Sequence, residues 1–152
     1  MRLVVLDTGT LGLLTNPRAQ PDTLACRQWA QALLAMGVRI VVPAIADYEL
    51  RRELIRAGKT SGLRRLDAVR AGFEFNPMTQ TALDKAAELW AAVRNAGLTT
   101  AHPAALDGDA ILAAQTIMVA DAGDIVTIAT NNARHLSRFP MIDARLWQSI
   151  TS

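Results

Sequence analysis

Three carboxylates stand far apart in the chain yet fall where an α/β fold would gather them. Asp7 ends the apolar run Leu3-Val4-Val5-Leu6, and Glu49 lies in the first turns of the segment after Ile40-Val41-Val42. Asp109 opens the helical-looking stretch Asp109-Ala-Ile-Leu-Ala-Ala-Gln. In a parallel sheet, the C-terminal strand ends and the N-termini of the following helices share one edge, and ligands bind there. Acids converging on that edge repel one another unless a cation holds them. The set therefore predicts a site for a hard divalent ion, Mg²⁺ or Mn²⁺.

Each acid also has a plainer reading. Asp7 can cap the helix that follows it. Glu49 and Glu53 share a helical face while Asp47 points elsewhere, and Glu53 is read as a solvated ion pair with neighbouring arginines. Asp107-Gly108-Asp109 places two acids before an apolar helix, where one is enough for capping; Asp109 is taken as the ligand and Asp107 as a candidate extra one. Asp121 and Asp124 flank Gly123 at the opposite edge and read as turn residues. Thr130-Asn131-Asn132 ends the last strong strand, and an amide oxygen there can ligate a hard cation without adding charge. His102 and His135 have no partner at ligand spacing.

The elements that must position these residues follow from periodicity. Residues 2–6 and 38–42 read as buried strands, 73–76 as a short third strand and 125–129 as a fourth, with a short fifth at Met141-Ile142. Helices are expected over 10–15, from Asp22 or Thr23 to Met36, from Pro43 to about Ala57, over 61–70, from a Thr79 cap to Asn95, and from Asp109 to about Asp121. Leu98 to Leu106 reads as a loop containing His102-Pro103, and 131–138 as a helical turn. Strands alternating with helices imply parallel pairing.

Composition bounds the function classes. At 152 residues with 51% hydrophobic content, the chain has room for a core and is read as one domain over 1–152. Formal net charge is +2, but fourteen of the sixteen basic residues are arginine, a mild bias toward phosphate or acidic partners. The richest basic window runs from Arg51 to Arg70, just after Glu49. Arg51 and Arg52 are its candidates for backbone contacts to nucleic acid. A single cysteine, Cys26, excludes an intramolecular disulfide and a cysteine zinc cluster, and its helical setting predicts burial. Trp29 and Trp90 read as core and Trp147 as a tail anchor. With no signal-peptide pattern and no membrane-length apolar run, a soluble cytoplasmic protein is expected.

The pieces Val-Val-Leu-Asp7-Thr-Gly, Tyr-Glu49-Leu-Arg-Arg-Glu, Asp109-Ala-Ile-Leu-Ala-Ala and Ile-Ala-Thr130-Asn-Asn132 stand in an order that resembles the PIN-domain family of metal-dependent ribonucleases, over nearly the whole chain. The nearest subgroup is similar to VapC-like toxins of bacterial type II toxin–antitoxin pairs. The resemblance implies a three-layer α/β/α sandwich around a parallel sheet of four to five strands. It implies Mg²⁺ or Mn²⁺ on Asp7, Glu49 and Asp109, with Glu49 as ligand or as orienter of the attacking water. Asp107, Thr130 and Asn132 would support those ligands or add an oxygen. It also implies RNA as substrate, an antitoxin partner and a homodimer. The family often has a fourth acid at the position of Asn132, and an Asp-Phe pair where this chain reads His135-Leu136. One metal is therefore expected and a second is conditional.

Two other readings compete. Asp7-Thr8-Gly9-Thr10-Leu11 resembles the opening motif of haloacid-dehalogenase phosphatases, but that motif needs an acid at Gly9 and a late one near Ala113. A PIN-like domain that binds RNA or protein without cleaving it is the third reading, motivated by Asn132.

Overall fold

The structure, a computed structural model, describes residues 1–97 and 103–151. Strands β1 (Arg2–Leu6), β2 (Arg39–Pro43), β3 (Glu74–Asn76), β4 (Ile125–Thr130) and β5 (Ala144–Leu146) form one sheet in the order β3-β2-β1-β4-β5. Every pairing is parallel, with Val4 opposite Ile40 and Thr127. The order follows from composition. β1, β2 and β4 carry the longest β-branched apolar runs and occupy the middle, where both faces are covered. β3 and β5, of three residues each, take the edges, where short strands offer little template for stray pairing.

Helices cover both faces. They are α1 (Thr8–Thr15), α2 (Pro21–Ala35), α3 (Ala44–Arg56), α4 (Thr60–Gly72), α5 (Gln80–Asn95), α6 (Pro103–Val119) and α7 (Ala133–Leu136). Alternation along the strands sends Val4, Leu6, Ile40 and Val42 to one face, against Leu11 of α1, Leu33 of α2 and Leu66 of α4. Leu3, Val5, Val41 and Ile128 face the other way, against Ile45 of α3, Leu112 of α6 and Leu136 of α7. α5 lies on α6 through Leu89 and Val93 against Ala110, Ala113 and Ala114, small residues that let the two helices approach closely. The result is the expected three-layer α/β/α arrangement. At the tail, the Trp29 indole donates to the Ile150 carbonyl at 2.9 Å and meets Trp147 edge-on at 5.6 Å. Cys26 is fully buried, and burial pushes its thiol up to about 12. Among the described residues, no helix is long and apolar enough to cross a membrane.

Three boundaries differ from expectation. α1 begins at Thr8, because Asp7 itself is the cap. α6 begins at Pro103, so the expected loop before Asp109 is shorter and Asp107 and Asp109 lie inside the helix. Proline opens a helix at no hydrogen-bonding cost, since the first N–H groups have no intrahelical partner; His102 lies outside the described residues. The fifth strand lies at Ala144–Leu146 and not at Met141-Ile142, because Met141 is held at φ 66°, a left-handed conformation incompatible with a strand.

One buried side chain locks α6 to α3. α3 starts after Pro43, which has no side-chain acceptor for the helix's orphan N–H groups. Gln115 of α6 supplies it: its Oε1 accepts from the Ile45 amide at 3.0 Å. Its Nε2 donates to the Asn76 carbonyl at 3.0 Å, and Asn76 Nδ2 returns a bond to the Gln115 carbonyl at 3.3 Å. Gln115 is 1% exposed, so water cannot replace these bonds. Gln115→Met fills the same volume but orphans a buried N–H. It should cost about 2–3 kcal/mol, which lowers Tm by roughly 5–10 °C for a chain of this size. Urea unfolding measures it, and a change below about 0.5 kcal/mol would show that the lock lies elsewhere.

Candidate functional site

The strand order puts the ends of β1 and β4 side by side, and their C-terminal residues begin the site. Asp7 follows β1, and its amide donates to the Ala129 carbonyl at 3.1 Å. Its carboxylate is held at both oxygens. Oδ1 accepts from the Thr10 amide at 2.8 Å, and Oδ2 accepts from the Thr130 hydroxyl. Capping and site edge are therefore the same position, not alternatives. Thr130 is fully buried, and its oxygen in turn accepts from the Asn132 amide at 2.8 Å. A chain of bonds thus runs from the β4 turn to Asp7.

Glu49 projects from α3, with Oε1 accepting from the Thr8 hydroxyl at 2.8 Å. Asp109 comes from α6 across the gap, with Oδ2 3.4 Å from Arg138 Nη2. Burial raises the Asp109 carboxyl above the ordinary aspartate range. Arg138 and His135 oppose that shift, while the charges of Glu49 and Asp7 add to it. Asp109 thus feels both other acids, as members of one centre must. Asp7, Glu49 and Asp109 line a cleft of about 260 Å³, joined by Thr8, Thr130 and Asn132.

The donors are mainly carboxylate oxygens, with the His135 ring also lining the cleft, and a carboxylate-rich set suits Mg²⁺ or Mn²⁺. Among the described residues, no three acid, histidine or cysteine side chains close on a single point as they stand. The reason is visible in their partners: Glu49 leans on Thr8, and Asp109 leans on Arg138. The residues present fit a hard cation by donor type and by shared cleft.

Two expected contributors point elsewhere. Asp107 precedes Asp109 by two residues, about 200° around the helix. It lines a groove between α5 and α6, beside Leu83 and Trp90, not the acidic cleft. Arg51 forms a two-pronged pair with Asp47 at 3.0 and 3.1 Å and reaches Asp67 at 2.8 Å. Asp47 is nearly buried and also takes Arg70 at 3.4 Å. Much of the basic window is therefore committed inside the protein, since Arg65 donates to the Asn16 carbonyl as well. Glu53 pairs in solvent with Arg56, as its spacing predicts. Arg52 stays at the rim, 59% exposed by its side chain, stacked 5.1 Å over Tyr48 and 3.9 Å from Glu49.

Sequence reasoning missed three residues. Arg138 and Thr8 touch the acids across gaps of 29 and 41 residues, with no local signal. Gly108 is the third: a Cβ there would stand 2.7 Å from Glu49 Oε2, so any other residue would make that carboxylate shift. A larger cleft, about 570 Å³, lies between α1, α3 and α4 and is lined by Leu50, Leu54 and Lys59 without any carboxylate.

Gly108→Ala should separate spacing from stability. The blocked atom is the tip of a flexible side chain, and alanine favours a helix interior by about 0.5–1 kcal/mol. Unfolding should show unchanged or raised stability, while a crystal structure shows Glu49 swung off Thr8. A loss above about 1 kcal/mol would mean that backbone contact, not Glu49, dictates the glycine.

No family model matches the chain, and no curated protein matches it by sequence. Solved structures do. A chain of VapBC2 from Rickettsia felis, crystallised with a DNA fragment from its promoter, is 19% identical with TM-score 0.72, covering 95% of this chain and 98% of that one. FitAcB from Neisseria gonorrhoeae gives 16% identity and TM-score 0.66, covering 97% and 99%. DNA-bound VapBC from Salmonella typhimurium gives 20% and 0.65, covering 97% and 99%. TM-scores of 0.65–0.72 over nearly the whole of both chains show that the chain has the PIN-like α/β/α fold of VapC-type proteins.

Proposed function

We propose that the protein is a Mg²⁺- or Mn²⁺-dependent ribonuclease that hydrolyses RNA phosphodiester bonds, and that it serves as the toxin of a toxin–antitoxin pair. The observation that carries the reading is the cleft in which Asp7, Glu49 and Asp109 meet from three separate elements. A bound divalent ion lowers the pKa of a water and offsets the charge that builds on the phosphoryl oxygens. Asp7 and Asp109 hold that ion. Glu49 either joins them or orients the attacking water, from a position set by Thr8 and by the space that Gly108 leaves. Thr130 keeps Asp7 in one rotamer, and Asn132, lining the same cleft, adds a neutral oxygen at its rim. Arg52, exposed beside Glu49, is the arginine placed to meet a substrate phosphate.

The antitoxin is supported by likeness of fold to the VapBC complexes, and a homodimer only by the resemblance of the sequence motifs to that subgroup. The groove between α1, α3 and α4 is the surface assigned to the antitoxin. Leu50 and Leu54 lie beside Arg18 and Lys59 there, which suits an apolar segment with acidic flanks.

A domain that binds RNA without cleaving it has one observation in its favour, the ion pair that occupies Asp109. Isosteric variants decide between the two. Asp7→Asn keeps an oxygen for the Thr10 amide, removes the charge and presents a donor where Oδ2 accepted from Thr130, and Asp109→Asn removes the charge on α6. Each should lower Mn²⁺-dependent cleavage of single-stranded RNA at least ~100-fold with an unaltered circular dichroism spectrum. Cleavage at the wild-type rate in either variant removes that residue from the centre, and no cleavage by the wild-type protein with any divalent ion favours the binding-only reading.

A further inference from the structure

The charge balance of the cleft points to a role for Arg138. Its side chain is 10% exposed, and its Nε donates to the His135 carbonyl at 2.7 Å, which anchors the guanidinium to the turn after α7. Its Nη2 reaches Asp109 Oδ2 at 3.4 Å. It is therefore a fixed, permanently charged cation beside Asp109, since a guanidinium does not lose its proton in proteins. Asp7, Glu49 and Asp109 set against Arg138, and against Arg52 at 3.9 Å from Glu49, leave one negative charge. Asn132 and His135 also line the cleft and add no negative charge. One divalent ion more than offsets that balance. A second would enter a site with no negative charge left to hold it, against a cation already lying on Asp109.

We propose that Arg138 takes the place of a second metal ion, and so limits the cleft to one divalent cation. The inference rests on the metal-centre reading above and adds stoichiometry to it. Arg138 acts through Asp109: it neutralises the buried carboxylate when the cleft lacks an ion and opposes the ion that shares it. It is a positioning residue, fixed by the His135 carbonyl, and takes no part in proton transfer.

Titration of the full chain with MnCl₂ by calorimetry tests this without reference to activity. The wild-type protein should take up one Mn²⁺. Arg138→Gln removes the competing charge and should bind Mn²⁺ about three- to tenfold more tightly, with circular dichroism confirming the fold. Arg138→Lys keeps the charge and should stay within about twofold of wild type. Two ions per wild-type chain overturn the proposal, whatever the variants do. So does unchanged or weaker binding by folded Arg138→Gln, or equal tightening by Arg138→Lys. If Arg138→Gln does not fold, the wild-type stoichiometry and Arg138→Lys still decide. Absence of any Mn²⁺ binding by the wild-type protein removes the metal-centre reading itself, an outcome distinct from a second ion or an unmoved affinity.

Discussion

Like-charge repulsion in one cleft is the constraint to which the surrounding structure answers. Asp7, Glu49 and Asp109 would separate if free, and each is tied to a neutral or positive partner: Asp7 to the Thr10 amide and Thr130, Glu49 to Thr8, Asp109 to Arg138. Those partners sit on α1, β4 and the turn after α7, so the acids can be held only when the sheet order β2-β1-β4 is complete. Gln115 sets the remaining distance, by fastening α6 to the start of α3, and Gly108 keeps that approach from crushing Glu49. Fold and site are thus one arrangement. The end of β1 supplies one carboxylate, α3 and α6 supply the other two, and a few buried polar bonds fix the spacing.

What could be read from the sequence was what local pattern controls. β1, β2 and β4 are apolar runs closed by polar residues, and their order of burial follows from that alone. Asp7, Glu49 and Asp109 were found because strand ends and helix starts in a parallel sheet converge. Asp109 shares the cleft with Asp7 and Glu49, but it lies inside α6 and does not open it. Asp-Gly-Asp has the local chemistry of a turn, whereas Gly108 is inside a helix for a tertiary reason, the nearness of Glu49. Gln115 in a run of alanine and leucine gave no sign that it caps a helix 70 residues away. Arg138 likewise looked like one arginine among fourteen.

The arginines show how composition can mislead about surface. A window with seven basic residues suggests an open track for a phosphate backbone. In the structure, Arg51 and Arg70 enclose the nearly buried Asp47, with Asp67 closing the network. Removing one partner from such a network leaves a charge without compensation, so it secures α3 against α4 more than it recruits a ligand. Arg52 is different because its neighbours are an exposed ring and a cleft acid. Of the seven, Arg52 is the one that stands beside a cleft acid.

The central claim is that three separated carboxylates form one cation centre. Anomalous diffraction from crystals soaked in Mn²⁺ tests it most directly. The account predicts a manganese peak in the cleft, within coordination distance of Asp7 and Asp109, with Glu49 turned from Thr8 toward it or toward its water. A cleft without a peak in well-soaked crystals, or manganese bound only at other surface acids, would contradict it.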